Sequence, residues 1–330
     1  MVDERAAESP LTEVVHDERT NRILNNLREA ADSNTPILID PEDAAYVQRS
    51  FTKAIQRGEQ LLHEYAEDLL NVFAKDEKIE SKLMVFGRCS QPGHEGLLRS
   101  DTEFDYRDGK FLKNNDSYLA KTYSPACSIC AEKTNSIASF IQYKNISPNG
   151  GGMLHFLRTR IKSTSHIAYK VADIVFNVGA MAKRDKIVNE LSHVVSDVYG
   201  MKLILVDERD VPAVAQEIPA LPKAELIEIK DYTGARRKKS GFEAYKMITR
   251  YEGQWVEIQI QSKRMFETER QSYTASHQTY KEAQMEQRRK LGKEYNLLYE
   301  TLHRMFSQEE VGNREAIEFG HSGKGTDDEF

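Results

Sequence analysis

Two runs in the C-terminal half commit this chain to a β-sheet. Ala244 to Tyr251 and Trp255 to Ser262 each alternate in character, and Glu252-Gly253 lies between them. Alternation at period two around a Gly-containing two-residue turn is the pattern of a hairpin. In the second run Glu257 and Gln259 hold alternate positions among Trp255, Val256, Ile258 and Ile260. The two polar side chains therefore share a face. That face is either a wet surface or a site.

The rest of the chain is read outward from this hairpin. Lys202 to Val206 has the composition of a buried strand, Val211 to Ile218 of a short helix stopped by Pro219, and Leu226 to Ile229 of a strand. Met153 to Ile161 reads as a strand running into a basic turn. One helix follows with Ile167, Val171, Ile174 and Val175, capped by Ser163 or Ser165, and a second spans Asp185 to Val198. The order β-α-α-β-α-β-β-β predicts an α+β domain over 151–285, a mixed β-sheet flanked by helices.

Residues 1–83 read as a helical N-terminal region. A first helix covers about 11–31. A long amphipathic helix starts at Pro41, with Asp40 as its cap, and runs to about Lys75. In 84–150 short apolar stretches are separated by Gly, Asn, Asp, Ser and Pro, which predicts a β- and loop-rich insertion. A long charged helix runs from about Met265 to Met305, so 286–310 extends the domain as a C-terminal helix. The Gly- and acid-rich tail, 311–330, has the composition of disorder.

Charge and hydropathy narrow the function classes. The net charge of the 330 residues is −6, so any nucleic-acid contact has to come from a local basic patch. No apolar run approaches the roughly 20 residues of a membrane helix, so no membrane role is expected. The charged start Met1-Val-Asp-Glu-Arg5 lacks the apolar core of a secretory signal. With only Cys89, Cys127 and Cys130, the expectation is a reducing, cytoplasmic setting. Cys127-Ser-Ile-Cys130 with Cys89 and His94 has the ligand types of a tetrahedral Zn²⁺ site, although the Cys-x4-His half is loosely spaced. Ordinary reduced cysteines and a redox pair are the other readings.

Several polar groups carry potential chemistry. Arg158, Arg160, Lys162 and Lys170 cluster where a strand end feeds a helix, which brings cations beside free helix N–H groups and suits phosphate. A solvated basic surface would look the same. Asp197 is read at a helix C-terminus, where the dipole disfavours a carboxylate, so a nearby cation would explain it. Mg²⁺ is the expected ion, because it binds through one or two carboxylates plus substrate phosphates. Phe242, after Gly241 and the cationic run Arg236-Arg-Lys-Lys239, can stack on a base while Lys238 or Lys239 meets phosphate. Core packing is the plainer reading of Phe242.

In this order and spacing, the pieces resemble the synthetase domain of RelA/SpoT-type alarmone synthetases over about Leu154 to Lys281. Arg160-Ile-Lys-Ser-Thr-Ser165 with Lys170 is similar to the family's Arg-x-Lys-x-x-Ser turn. Asp197-Val-Tyr-Gly-Met-Lys202 is similar to its metal-binding Asp segment, and Lys230-Asp-Tyr232 to its Lys-Asp-Tyr motif. Ser240-Gly-Phe242 is similar to its Asn-Gly-Tyr step, and Glu257-Ile-Gln-Ile-Gln261 to its Glu-x-Gln-Ile-Arg strand. His277 with Tyr280-Lys281 is similar to its His-x-x-Tyr-Lys close.

The resemblance implies a nucleotidyltransferase-like fold and a pyrophosphokinase. Such an enzyme moves the β,γ-diphosphate of ATP to a ribose 3′-hydroxyl of a guanosine or other purine nucleotide. It implies ATP binding by Arg158, Arg160, Lys162, Ser165 and Lys170. It implies acceptor binding by Lys230, Tyr232, Lys238, Lys239, Phe242 and Gln259, with Asp197 and Glu257 as catalytic and Mg²⁺-binding residues. Lys202 and Gln261 stand where the family has Arg, Phe242 where it has Tyr, and Glu243-Ala-Tyr-Lys246 where it has Gln-Ser-Leu-His. These departures fall mostly on the acceptor side. The 3′ end of tRNA is therefore a second acceptor class, and an inert nucleotide- or RNA-binding module a reading of another class. The charged helices at both ends fit a homo-oligomer as well as they fit a solvated surface.

Overall fold

The computed structural model describes residues 13–14, 17–33, 40–89, 96–106, 135–147, 152–162, 167–168, 198–238, 241–270, 299–300 and 302–303. Helices α1 (Glu18–Asp32) and α2 (Pro41–Phe73) precede strands β1 (Ile79–Cys89), β2 (Gly96–Phe104), β3 (Asn135–Asn145), β4 (Leu154–Ile161) and β5 (Tyr199–Leu205). After α3 (Val211–Glu217) come β6 (Ala224–Asp231), β7 (Tyr245–Tyr251) and β8 (Gln254–Ser262). Residues 263–270 are helical.

All eight strands form one sheet in the order β2-β1-β3-β4-β5-β8-β7-β6. β5 and β8 run parallel, and the other neighbours antiparallel. The chain is thus α+β with a mixed sheet, as the order of elements predicts. The hairpin is β7–β8, and its turn residues Glu252 and Gly253 both have positive φ, 45° and 85°, as a type I′ turn requires. The stretch read as β- and loop-rich supplies β2, β3 and the second half of β1, which starts at Ile79 inside the region read as helical; β1 pairs with β2 and β3, and β3 pairs with β4, so the three strands extend the same sheet.

Helix α2 begins as its sequence dictates. Asp40 accepts from the Glu42 N–H at 2.7 Å, and Pro41 occupies the first turn, where no N–H is needed. Its apolar stripe covers one sheet face. Leu62, Tyr65 and Leu69 share a core with Leu157, Leu203, Met247 and Ile258, and Tyr65 stacks on Tyr251 at 4.3 Å. Mid-helix Gly58 costs about 1 kcal/mol against Ala. It is needed because a Cβ there would overlap the Tyr199 hydroxyl, which donates to the Ala54 and Ile55 carbonyls at 3.4 and 3.3 Å.

Two features depart from the pattern. β5 starts at Tyr199, three residues before the Lys202 start of the apolar run, because Tyr199 and Gly200 pair with Ile161 and Arg160. The buried stripe of α2 also carries two polar residues, Glu59 and His63, 3% and 2% exposed. His63 Nδ1 lies 3.1 Å from the Tyr143 hydroxyl on β3, so the pair joins the helix to the sheet. No helix among the described residues is long and apolar enough to cross a membrane.

Candidate active site

The sheet face turned away from α2 carries the polar residues, and strand register sorts them into rows. One row crosses β3, β4, β5, β8, β7 and β6 as Gln142, Arg158, Lys202, Gln259, Lys246 and Lys230. The next row is Phe140, Arg160, Gly200, Glu257, Ile248 and Glu228. Residues far apart in sequence thus share one patch, with four cations in the first row.

Glu257 is the centre of this patch and is only 4% exposed, so it is not a solvated surface carboxylate. Gln259 donates to its Oε1 at 2.8 Å, and Arg160 Nη2 stands 3.5 Å from the same oxygen. The Lys246 ammonium sits on Oε2. Gly200 makes room for this. A Cβ at that position would lie 3.1 Å from Arg160 Nε, in the path the guanidinium takes over β5 to Glu257. Burial pushes the Glu257 carboxyl upward. The charges of Lys246 and Arg160 and the hydrogen bonds from Lys246 and Gln259 outweigh that, so it lies below the ordinary value of 4.5.

Two other cations are held differently. Arg158 donates to Gln142 Oε1 at 2.7 Å, and its guanidinium lies 5.0, 4.6 and 5.7 Å from the ring centres of Phe140, Phe156 and Phe266. Lys202 Nζ meets Glu269 Oε2 at 2.8 Å. Its burial pulls the ammonium pKa down, and Glu269 offsets this only in part. Gln261, fully buried, donates to Glu269 at 2.9 Å and to the Glu243 carbonyl at 2.7 Å. The position where the resemblance expects an arginine is therefore a tie between β8 and helix 263–270.

A second cluster lies at the ends of β6 and β7. The Tyr232 and Phe242 rings are 6.2 Å apart and inclined by 63°. The Lys238 ammonium is 4.5 Å from one ring centre and 5.2 Å from the other. Backbone bonds close the loop, from the Lys238 N–H to the Phe242 carbonyl at 3.2 Å and from the Gly241 N–H to the Lys238 carbonyl at 2.9 Å. Gly241 takes φ 80°, a conformation most side chains avoid. Asp231 is committed to the turn, accepting from the Thr233 N–H at 2.8 Å and from Arg236 at 2.7 Å. Lys230 is paired with Glu228.

Of the residues chosen from sequence, Arg158, Arg160, Glu257 and Gln259 fall in one patch, and Tyr232, Lys238 and Phe242 in the other. Lys162 closes β4 by donating its N–H to the Val198 carbonyl at 2.9 Å. Ser165, Lys170, Asp197 and Lys239 lie outside the described residues, as do His94, Cys127 and Cys130. Cys89 ends β1, and its side chain is outside them too. Sequence reading missed Lys246 as the partner of Glu257, Gly200 as its clearance and Glu269 as the partner of Lys202. The only signal for the first two was register across four strands, and Glu269 reaches Lys202 from helix 263–270. Among the described residues no three His, Cys, Asp or Glu side chains are grouped to hold a metal ion.

Comparison with known proteins gives one informative match. Residues 159–285 match the family model described as a region found in RelA / SpoT proteins. That span opens in β4 and includes β5 to β8, hence Glu257 with its partners and the Tyr232–Phe242 cluster, while Arg158 falls one residue before it. A search of curated proteins finds no match. Among solved structures, small alarmone synthetase 1 from Bacillus subtilis bound to its product pppGpp is 17% identical, covering 47% of this chain and 75% of that chain, with a TM-score of 0.29. Small alarmone synthetase 2 from the same organism is 18% identical over 49% and 82%, with a TM-score of 0.28. A GTP pyrophosphokinase family protein from Streptococcus pneumoniae is 21% identical over 47% and 73%, with a TM-score of 0.29. Overlaps this slight carry no functional weight.

Proposed function

We propose that the RelA/SpoT region carried by residues 159–285 is a pyrophosphokinase, transferring the β,γ-diphosphate of ATP to the ribose 3′-hydroxyl of a guanosine or other purine nucleotide. The observation that carries this reading is the buried, ionised Glu257 set among Arg160, Lys246 and Gln259 beside a row of cations. Phosphoryl-type transfer asks a protein mainly for positioning and charge neutralisation, and this patch has the groups for both.

In the reaction the acceptor 3′-oxygen attacks the β-phosphorus. The bond from that phosphorus to the α,β-bridging oxygen breaks and AMP leaves. Glu257 takes the hydroxyl proton as the new P–O bond forms. Arg160 and Lys202 face the donor phosphates. The acceptor base stacks on Phe242 and Tyr232, with Lys238 beside it. A Mg²⁺ ion suits Glu257, which is a hard oxygen donor held in its charged form. Glu257 and Asp197 would hold it, and it would add charge neutralisation at the phosphates. The 3′ end of an RNA is the second acceptor class, favoured by the exposed basic loop at Arg236 and Arg237.

The test is transfer from ATP labelled on the γ-phosphate, offered GDP, GTP, ADP, AMP or bulk tRNA in parallel. Label on a free nucleotide is expected. Label on tRNA alone would move the assignment to the second class. ATP binding with no transfer to any acceptor would overturn the enzyme reading.

A further inference from the structure

Strand β6 ends the sheet on one side. Its outward N–H and C=O groups have no strand beside them among the described residues. Such edges invite pairing with another chain unless they are blunted. A register shift between Leu226 and Glu228 sets which side chains share a face. Leu226 pairs with Thr249 and Ile229 with Met247, so both lie on the α2 side of the sheet. Glu225, Glu228 and Lys230 pair with Arg250, Ile248 and Lys246 on the opposite side. Leu226 and Ile229 are also among the few large apolar residues left exposed, at 36% and 44%.

The order of these residues is self-complementary. When the run Ala224-Glu-Leu-Ile-Glu-Ile-Lys-Asp231 is laid antiparallel on itself about a point between Ile227 and Glu228, Leu226 falls opposite Ile229 of the second copy. Glu225 then falls opposite Lys230 of the second copy, and each contact occurs twice. A lone edge charge repels its own copy, whereas here the two-fold register opposes unlike charges on one face and apolar groups on the other. We propose that β6 is a homodimer edge, pairing antiparallel with β6 of a second copy and continuing the sheet across both chains. This inference is independent of the transfer reading.

The test is a concentration series by sedimentation on the full chain, with circular dichroism as a check on folding. Wild type is expected to dimerise. E225K places Lys opposite Lys and K230E places Glu opposite Glu, and each is expected to raise the dimer dissociation constant about tenfold or more, a loss of about 1.4 kcal/mol. The double variant E225K/K230E restores unlike pairs and is expected to recover most of the loss. L226D, folded, is expected to be monomeric. A wild type that stays monomeric at every concentration overturns the proposal. So does a dimer that none of the four variants disturbs, because its contact would lie elsewhere.

Discussion

The same face of one sheet holds two ion-pair clusters with opposite arrangements. On β1 and β2, which precede the residues matched by the family model, Lys82 lies between Glu80 and Glu103, at 3.0 Å from each. One cation meets two carboxylates, and the group is exposed enough for water to screen it. On strands β4 to β8, one buried carboxylate, Glu257, lies between two cations, with Lys202 and Arg158 in the next row. A surface ion pair of the first kind contributes little. A buried carboxylate with surplus positive charge around it has a desolvation cost that folding alone does not explain. The lesson is that ion pairs alone do not mark a site; the mark is burial together with a charge excess that a phosphate could cancel.

The largest expected effect is at Glu257. E257Q should lower transfer by about 10²- to 10⁴-fold, the range for a lost general base, with ATP binding near normal. In wild type, because the carboxyl lies below 4.5, its stabilising ion pairs persist above that pH and are lost as pH falls through the lower folded value. K246M removes the largest downward influence. The acid limb of its kcat/KM profile should therefore move to higher pH, and an unmoved limb would disconnect Lys246 from Glu257.

The next effect is on folding. Leu62 is 1% exposed under the sheet, and L62A should cost about 2–5 kcal/mol in denaturant unfolding. A smaller effect is expected at His63, where burial lowers the imidazole pKa from 6.5 to about 3. Between those values the unfolded chain binds a proton that the folded chain does not, so stability falls as pH drops from 6.5 towards 3. H63Q should flatten that part of the acid slope, as measured by unfolding above and below pH 6.5. The smallest effect belongs to Lys82, where K82M should leave both melting temperature and transfer unchanged.

The contrast also explains how far the sequence could be read. Local rules carried the β7–β8 hairpin, the Asp40 cap and the shared face of Glu257 and Gln259, because each depends on residues within a few positions. Burial of Glu257 did not follow from alternation, since it depends on Arg160 and Lys246 arriving through register from β4 and β7. Tyr199 and Gly200 fell outside the strand read from Lys202, because Gly200 has weak strand propensity. Long-range pairing with β4 and β8 overrode it. That β1 to β3 extend the same sheet was equally hidden, because nothing in short apolar stretches names their partners. The burial of His63 was invisible for the same reason, its polar partner Tyr143 lying 80 residues away.

The most direct test puts both clusters through one assay, measuring ATP binding and transfer of labelled diphosphate for E257Q and K82M beside wild type. E257Q should bind ATP and transfer at least about a hundredfold more slowly, while K82M does both as wild type does. Transfer by E257Q at the wild-type rate, or loss of transfer in a folded K82M, would contradict the division of this sheet into a scaffold half and a reacting half.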